Sequence, residues 1–317
     1  MEYILLSVLT IVGLSLFELV SSIDNAVINA DVLATVSKKA RRWFLTWGIL
    51  SAVFLMRGGL PFLIIYSLDP SLSLQETFAR AFSSDPEVIA AIEESAPPLL
   101  MAGGIFLVFL FLHWLFLESK HYGIIGEAYI QKKGVWFYAI VSILLTSIVW
   151  FSIQITPLVA FGATVGSSIF FITHGFRQNA EQKEKEMLGS KSMSDVSKIL
   201  YLEVIDASFS IDGVIGAFAF TFSILFILIG NGIGAIAVRQ ITVRNIENVK
   251  KYKYLKNGAM YSIAVLGAIM VANSFRLHIP EWLSPIATIT ILGYFFMKSR
   301  NALKKQVSDS DTPVSTH

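Results

Sequence analysis

A series of long apolar runs constrains the fold of this chain more than any other feature. Nine runs are each long enough to form a membrane-crossing helix, which needs about 20 residues. They cover residues 3–32, 43–66, 98–117, 135–153, 157–175, 199–220, 222–241, 258–276 and 282–297. Because 54% of the 317 residues are hydrophobic and only 15% are charged, the chain is predicted to be an all-α polytopic membrane protein.

The boundary between the fourth and fifth runs is the least obvious, since the apolar sequence continues from Val135 to Phe176. Proline lacks an N–H, and the residue before a proline disfavours helix. A break between two spans is therefore predicted at Thr156-Pro157.

Basic residues in the connecting segments predict how the helices are oriented. Lysines and arginines follow the first, third, fifth, seventh and ninth runs, whereas segment 67–97 is acidic. With nine spans, all the basic segments lie on one side, which is cytoplasmic by the positive-inside rule. The N-terminus is then outside and the C-terminus is in the cytoplasm. Because the net charge is only +2 and the basic residues lie in short loops, no nucleic-acid partner is expected.

Two similar acidic phrases lie inside the apolar runs. The first is FELVSSIDNAV, residues 17–27, and the second is EVIDASFSIDGVI, residues 203–215. Their alignment places Glu18 on Asp206 and the later aspartates of the two phrases on each other. A carboxylate at the centre of a membrane helix costs about 2.5–3.5 kcal/mol on insertion scales. Such a repeated pair predicts an ion site better than it predicts simple packing.

The repetition extends beyond these phrases, because GILSAVFLMR (48–57) parallels GNGIGAIAVR (230–239). The first three spans therefore match the sixth to eighth, and the nine-span topology gives the two halves opposite orientations. Such a 3+3 inverted repeat is typical of secondary transporters. The predicted divisions are 1–118 for the first repeat, 119–198 for two extra helices and a cytoplasmic charged linker, 199–276 for the second repeat, 277–305 for a terminal helix and 306–317 for a disordered tail.

Helical geometry sets a condition on the acidic phrases. Glu18 and Ser22 share a helix face, but Asp24 points about 120° away, and the second phrase repeats this pattern. Two carboxylates of one phrase can meet at one ion only if the helix is interrupted. Interruptions are therefore predicted near residues 22–25 and 210–213.

The predicted ligands are all oxygen atoms, which suits a hard divalent ion such as Mn²⁺, Mg²⁺ or Ca²⁺ rather than Cu⁺ or Zn²⁺. The candidate metal ligands are Glu18, Asp24, Asn25, Glu203, Asp206 and Asp212, with Ser22, Ser210, Arg57 and Arg239 in supporting roles. Arg57 is expected to pair with a carboxylate or to act in gating. For Arg239, snorkelling to the headgroups is an equal alternative, and for Glu203 interfacial hydration stays open. His113 is expected to be a hydrogen-bonded structural residue.

These phrases resemble the paired motif of the TerC family, which belongs to the LysE-type transporter superfamily. The resemblance is to a bacterial branch with E-x₃-S-x-D-N-A-V and L-E-x-x-D-A-S-F-S-x-D-G-V, and it covers roughly residues 3–275. It implies export of a divalent metal, most often manganese, against protons, in the bacterial inner membrane. The second phrase ends in Asp212-Gly213 where better-studied members have Asp-Ser or Asp-Asn, so one ligand of those relatives is missing here.

The predicted function is therefore a secondary transporter that exports a divalent cation, with Mn²⁺ favoured, by proton exchange. No permanently bound cofactor is expected. The expected partners are the transported metal ion, protons and the bilayer, and a homo-oligomer is compatible with this function. Three alternatives stay open: an exporter of an organic cation or amino acid, an intramembrane aspartyl-type enzyme, and a metal-delivery or secretion partner without transport of its own. The enzyme is disfavoured because the G-x-G-D signature of such proteases is absent.

Overall fold

The computed structural model describes residues 2–48, 52–68, 73–82, 92, 94–189, 194–244, 248–249 and 251–310. All regular secondary structure in these residues is helical. The predicted all-α fold class is confirmed for this part of the chain.

The helices are α1 Glu2–Ser21, α2 Ile23–Leu33, α3 Lys38–Trp43, α4 Leu60–Leu68, α5 Leu74–Ala81, α6 Pro97–Leu117, α7 Glu127–Gln131, α8 Phe137–Ile153, α9 Pro157–Gly189, α10 Asp195–Ala217, α11 Ile224–Arg244, α12 Leu255–Ser274 and α13 Leu283–Ser310. Two π-helical segments, Phe44–Gly48 and Ala52–Gly59, lie between α3 and α4. A 3₁₀ turn, Gly134–Trp136, precedes α8.

Among the described residues, six helices are long and apolar enough to cross a membrane, and they support a helical membrane protein. These are α1, α6, α8 with its preceding turn, α9, α11 and α12. Because α8 ends at Ile153 and α9 begins at Pro157, the predicted break between the fourth and fifth runs is confirmed. The finer count of nine spans stays a prediction. The last helix continues to Ser310, five residues into the segment predicted as a tail.

Close contacts between α1 and α10 show that the two helices run in opposite directions. Gly13 lies against Phe220, which follows α10, whereas Glu18 lies against Gly213, which is earlier in the chain. As the residue number rises along α1, the residue number of the contact on or after α10 therefore falls.

By contrast, α1 and α11 run parallel. Leu14 lies against Gly230, and Glu18 lies against Gly234, one turn further along both helices. The Ser15 hydroxyl donates to the carbonyl oxygen of Gly230 at 3.0 Å. Small residues on α11 thus bring its backbone close to α1, as small residues do in many membrane helix pairs.

The main core lies around α6, which packs most extensively against α12 and α9. Its large buried side chains include Phe106 and Trp114. A Cβ atom at Gly166 of α9 would lie 2.1 Å from the carbonyl oxygen of Ala102, so the α9 and α6 backbones are in contact there. In contrast, α8 is peripheral and exposes large apolar side chains, which suits a lipid-facing helix.

Three of the segments predicted to be cytoplasmic, the loop after α6, the start of α12 and the later part of α13, lie together at one end of the bundle, here called the basic end and defined by Lys120, Lys256 and Lys298. Lys256 Nζ donates to Glu118 Oε2 at 2.7 Å, and Lys298 donates to the carbonyl oxygen of Gly123. The opposite end, called the far end, is defined by residues 218–222 and 273–284. The sidedness of the two ends in a membrane stays a prediction.

A buried carboxylate, Glu127, anchors the loop at the basic end. It is 2% exposed and accepts hydrogen bonds from the Gly123 N–H at 2.7 Å and from the Tyr261 hydroxyl at 2.8 Å. Asn257 Nδ2 also donates to it at 3.2 Å. Because these donors belong to α12 and to the loop after α6, Glu127 holds the two together.

Candidate functional site

The first acidic phrase contains the predicted helix interruption. Helix α1 ends at Ser21, Ser22 adopts φ −88° and ψ 3°, and α2 begins at Ile23. The interruption near residues 22–25 is therefore confirmed. It is slight, because the Ser22 N–H still donates to the carbonyl oxygen of Glu18 at 3.1 Å, and Ala26 donates to that of Ser22 at 2.9 Å. These two carbonyls are therefore occupied by backbone bonds.

The predicted interruption of the second phrase is wrong, since α10 continues from Asp195 to Ala217 through residues 210–213. A continuous helix directs Asp206 and Asp212, six residues apart, to different sides. Partners are present on both sides: Arg239 binds Asp206 and Arg177 binds Asp212. Both charges are therefore compensated by arginines while α10 stays a continuous helix.

Among the described carboxylates of the two phrases, Glu18 is the most deeply buried, at 1% exposure. It forms an ion pair with Arg57, which is 4% exposed, and its Oε1 accepts a hydrogen bond from Ser22 Oγ at 2.7 Å. A Cβ at Gly213 would lie only 2.5 Å from Glu18 Oε2, and one at Gly234 would lie 2.6 Å from the Glu18 Cβ. Glycine at position 213, where the resemblance predicts a lost ligand, thus makes room for this carboxylate.

The two arginines of the aligned segments join the two phrases. Arg57, in the second π-helical segment, is attracted by Asp206 as well as by Glu18. Arg239 of α11 lies 3.4 Å from Asp206 Oδ2 and is also attracted by Glu203. Glu18, Arg57, Asp206, Arg239 and Glu203 therefore alternate in charge through the bundle, and we call this set the buried network.

The environment of Arg239 excludes the snorkelling alternative. Its side chain is only 8% exposed, its Nη1 donates to the carbonyl oxygen of Phe44 at 2.8 Å, and its guanidinium lies 4.2 Å from the Phe44 ring centroid. Glu203 lies beside Gly48 in the same region, where a Cβ on the glycine would meet Glu203 Oε1 at 2.0 Å. Both residues therefore face the first half of the chain.

Arg177 is a site residue that sequence reasoning missed. Its Nη2 lies 2.5 Å from Asp212 Oδ1, and both side chains are 13% exposed. The sequence placed Arg177 in the charged cytoplasmic segment, but α9 is continuous from Pro157 to Gly189 and carries it against α10. The position of Arg177 directly after Phe176, the last apolar residue of this run, was the available signal.

Other predicted site residues are placed as follows. Ser210 is 4% exposed, and its hydroxyl has no hydrogen-bond partner among the described residues. It lies on α10 between Asp206 and Gly213, so it faces the buried network. The side chains of Asp24 and Asn25 lie outside the described part of the chain.

The described part of the chain holds no group of three or more His, Asp and Glu side chains that could bind a metal ion. Each carboxylate of the two phrases that is described lies near an arginine instead. In the described part of the chain, a cation that approaches any of these carboxylates therefore meets a guanidinium of like charge beside it.

A cavity of about 470 Å³ leads from the basic end toward Asp212. It is lined by Asp212, Arg177, His174, His113, Glu118 and Lys256, among others. The rings of His113 and His174 are 4.0 Å apart, and His113 Nδ1 lies 3.5 Å from Glu118 Oε1. His113 is thus in contact with a carboxylate, as expected of a hydrogen-bonded histidine, and it lies in the cavity wall.

Glu118 lies at the mouth of this cavity, outside the apolar span of α6. Burial alone would raise the pKa of Glu118, but the hydrogen bond from His113 and the attraction of Lys256 outweigh it and lower the pKa to about 2. Lys120 nearby has its pKa lowered to about 8, because burial outweighs the attraction of Glu127 and Glu118. Glu118 is therefore a stable anion at the mouth.

A second cavity, of about 600 Å³, lies at the far end and is lined by Phe220, Asn273 and Glu281, among others. It is separated from the buried network by aromatic side chains. Phe220 packs on Phe17, with ring centroids 5.9 Å apart, and Phe17 directly precedes Glu18 and is 1% exposed. The cavity from the basic end thus reaches Asp212 and Arg177, and an apolar layer lies between the network and the far end.

Comparison with known proteins gives a family. No curated protein and no solved structure matches the chain. The model of the family described as "Protein of unknown function (DUF475)" matches residues 23–306, which include the last five residues of the first acidic phrase and all of the second. Because this match covers most of the 317 residues, the chain belongs to the DUF475 family.

Proposed function

We propose that the protein is a secondary transporter that exports a divalent metal cation, with Mn²⁺ as the favoured cargo. The observation that carries this proposal is the buried network, in which carboxylates from both acidic phrases alternate with arginines inside the helical bundle. Charged groups at such depth are expensive, and in membrane proteins they mark ion or substrate pathways. The cavity that leads to Asp212 supplies a route from one end to the second acidic phrase.

The proposed architecture is the 3+3 inverted repeat with nine spans. The antiparallel course of α1 and α10, which carry the two phrases, supports this architecture. Alternating access would then move one half against the other around the network. In the described conformation the site is approached from the basic end, proposed to be cytoplasmic, and the layer of Phe17 and Phe220 closes the far end.

The proposed coupling is to protons in the bacterial inner membrane, as the resemblance to the TerC family implies. Carboxylates must be deprotonated to bind a metal ion, so a carboxylate that releases the ion outside is free to take up a proton. The affinity for Mn²⁺ should therefore fall steeply with acidification, and an affinity that does not change with pH would contradict proton exchange.

A second candidate cargo is an organic cation or amino acid. The cavity of about 470 Å³ is larger than a metal ion requires, and its wall carries both anionic and cationic groups, Glu118 and Asp212 with Lys256 and Arg177. A zwitterionic solute could pair with both kinds of charge. Competition between lysine and Mn²⁺ for uptake distinguishes the two cargoes.

The test is Mn²⁺ uptake into proteoliposomes, with Ca²⁺, Mg²⁺ and lysine as competitors. We expect uptake that Asp24→Ala and Asp212→Ala abolish and that lysine does not inhibit. Glu76→Ala, which replaces an exposed carboxylate in the first turn of α5 that is not part of the network, is the matched control and should transport normally. Uptake that survives both aspartate substitutions would remove the proposed site, and inhibition by lysine alone would favour the organic cargo.

A further inference from the structure

We propose that Arg177 is the resident counter-cation of Asp212: an incoming cation displaces its guanidinium, which then binds Glu118 at the mouth of the cavity. This inference rests on the proposed function, since it assumes that the transported cation binds Asp212. It assigns a specific role to a residue outside the two aligned repeats.

The first observation is the asymmetry of the three arginine pairs. Arg57 and Arg239 occupy matching positions in the aligned segments and bind the buried network. Arg177 has no such counterpart, because α9 lies in the inserted part of the chain between the two predicted repeats. The Arg177–Asp212 pair thus involves the second predicted repeat alone, and it lies at the end where the cavity opens.

The second observation is that this pair is accessible, whereas the network is not. Side-chain exposure falls from 33% at Glu118 to 13% at Arg177 and Asp212, and to 1% at Glu18. Asp212 also interacts electrostatically with Glu18. A cation that enters from the basic end therefore meets the Arg177–Asp212 pair before it meets the buried carboxylate.

The third observation is that an alternative acceptor lines the same cavity. Glu118 directs Oε2 to Lys256 at 2.7 Å and Oε1 toward His113 at 3.5 Å, and a carboxylate has about four acceptor positions. His174 interacts electrostatically with both Arg177 and Glu118, so it lies within range of both groups. Glu118 can therefore accept a guanidinium without first losing Lys256.

The proposed exchange keeps the Asp212 carboxylate beside a positive charge at every stage. An arginine side chain stays protonated throughout, so Arg177 can neutralise Asp212 whenever no cargo is bound. A bare carboxylate at this depth would be costly. When a cation arrives, Asp212 changes one positive partner for another, and Glu118 takes up the released one. The groups that face Arg177 in this cavity are Asp212, His174, His113, Glu118 and Lys256.

The experiment is a double-mutant cycle on Mn²⁺ affinity, measured at one pH with Mn²⁺ alone by the electron paramagnetic resonance signal of the free ion. The variants are Arg177→Gln, Glu118→Gln and the double variant, and Arg300→Gln, on an exposed part of α13, is the control. Arg177→Gln should tighten binding by about ten-fold or more, because no buried ion pair has to be broken. Glu118→Gln alone should weaken binding several-fold.

The decisive result is the double variant. If Arg177 moves to Glu118, removal of Glu118 no longer matters once Arg177 is gone, and the double variant binds like Arg177→Gln. If Glu118 acts only as a fixed charge, it weakens binding by the same factor in both backgrounds, and the inference is overturned. An Arg177→Gln variant that does not bind more tightly would also overturn it.

Two further measurements test whether a changed Mn²⁺ affinity comes from misfolding or from a property of arginine other than its charge. Arg177→Lys keeps the positive charge and should bind Mn²⁺ close to the wild-type affinity, and each variant must elute from size exclusion as the wild type does. If Arg177→Gln misfolds, Arg177→Met replaces it in the cycle, because it also removes the positive charge and leaves an unbranched apolar side chain, and the same two outcomes decide. A wild-type protein that binds no Mn²⁺ would overturn the proposed function itself, and this inference with it.

Discussion

Removing one partner of the buried Glu18–Arg57 pair should destabilise the protein more than removing both. Glu18 and Arg57 are 1% and 4% exposed, so a single substitution leaves an uncompensated charge inside the bundle. Such a loss costs about 3–5 kcal/mol. Because Asp206 also attracts Arg57, the guanidinium keeps a nearby carboxylate in Glu18→Gln, and we expect the lower value, about 3 kcal/mol. Among the described residues, Arg57→Met leaves the Glu18 carboxylate with a hydrogen bond from the uncharged Ser22 hydroxyl, and about 5 kcal/mol is expected.

The assay is unfolding in mixed micelles with increasing dodecyl sulfate, followed by the fluorescence of the six tryptophans. The double variant, Glu18→Gln with Arg57→Met, should lose less free energy of unfolding than Arg57→Met alone. As the matched control, Lys256→Met breaks a pair whose side chains are 37% and 33% exposed, and it should cost less than about 1 kcal/mol. A double variant that loses the sum of the two single losses would refute the argument that the two charges compensate each other.

Three further predictions concern packing and pH. Gly213→Ala should destabilise by about 1–3 kcal/mol in the same assay, because its Cβ would lie 2.5 Å from Glu18 Oε2, whereas Gly175→Ala, with no atom within 4 Å, should be neutral or stabilising. Gly166→Ala should cost more than Gly213→Ala, since the atom that its Cβ meets at 2.1 Å belongs to the backbone and cannot move aside. Glu118, with a folded-state pKa of about 2 against 4.5 unfolded, should contribute stability above pH 4.5 that is lost as the pH falls toward 2; unfolding curves of wild type and Glu118→Gln that stay parallel over this range would contradict it.

Much of the helical fold could be predicted from the sequence, because apolar length and proline placement act locally. The break before Pro157 follows from the missing proline N–H alone. The interruption at Ser22 was also predicted, from the mismatch between Glu18 and Asp24 on one helix face. The corresponding interruption predicted for α10 was wrong, because the two carboxylates of the second phrase do not meet at one point. In the structure Asp212 is compensated by a residue of another helix, which no periodicity within the phrase reveals.

Two of the three arginine partners described at the site could be predicted from the sequence, and the third could not. Arg57 and Arg239 could be found because they recur at matched positions in the two aligned segments. Arg177 could not be distinguished from the basic residues that set orientation, since its pairing depends on how α9 packs on α10. The π-helical geometry around Arg57 was not predicted either, because a wider helical turn is set by tertiary contacts and has no simple residue pattern.

The central claim is that the two acidic phrases form one cation site. It is tested most directly by counting bound Mn²⁺ in the purified protein by electron paramagnetic resonance, in the wild type, Glu18→Gln and Asp212→Asn. One ion per chain in the wild type, lost in both variants, is the predicted result. Separate ions lost one at a time would contradict a shared site, and an undiminished ion in both variants would contradict the role of these carboxylates altogether.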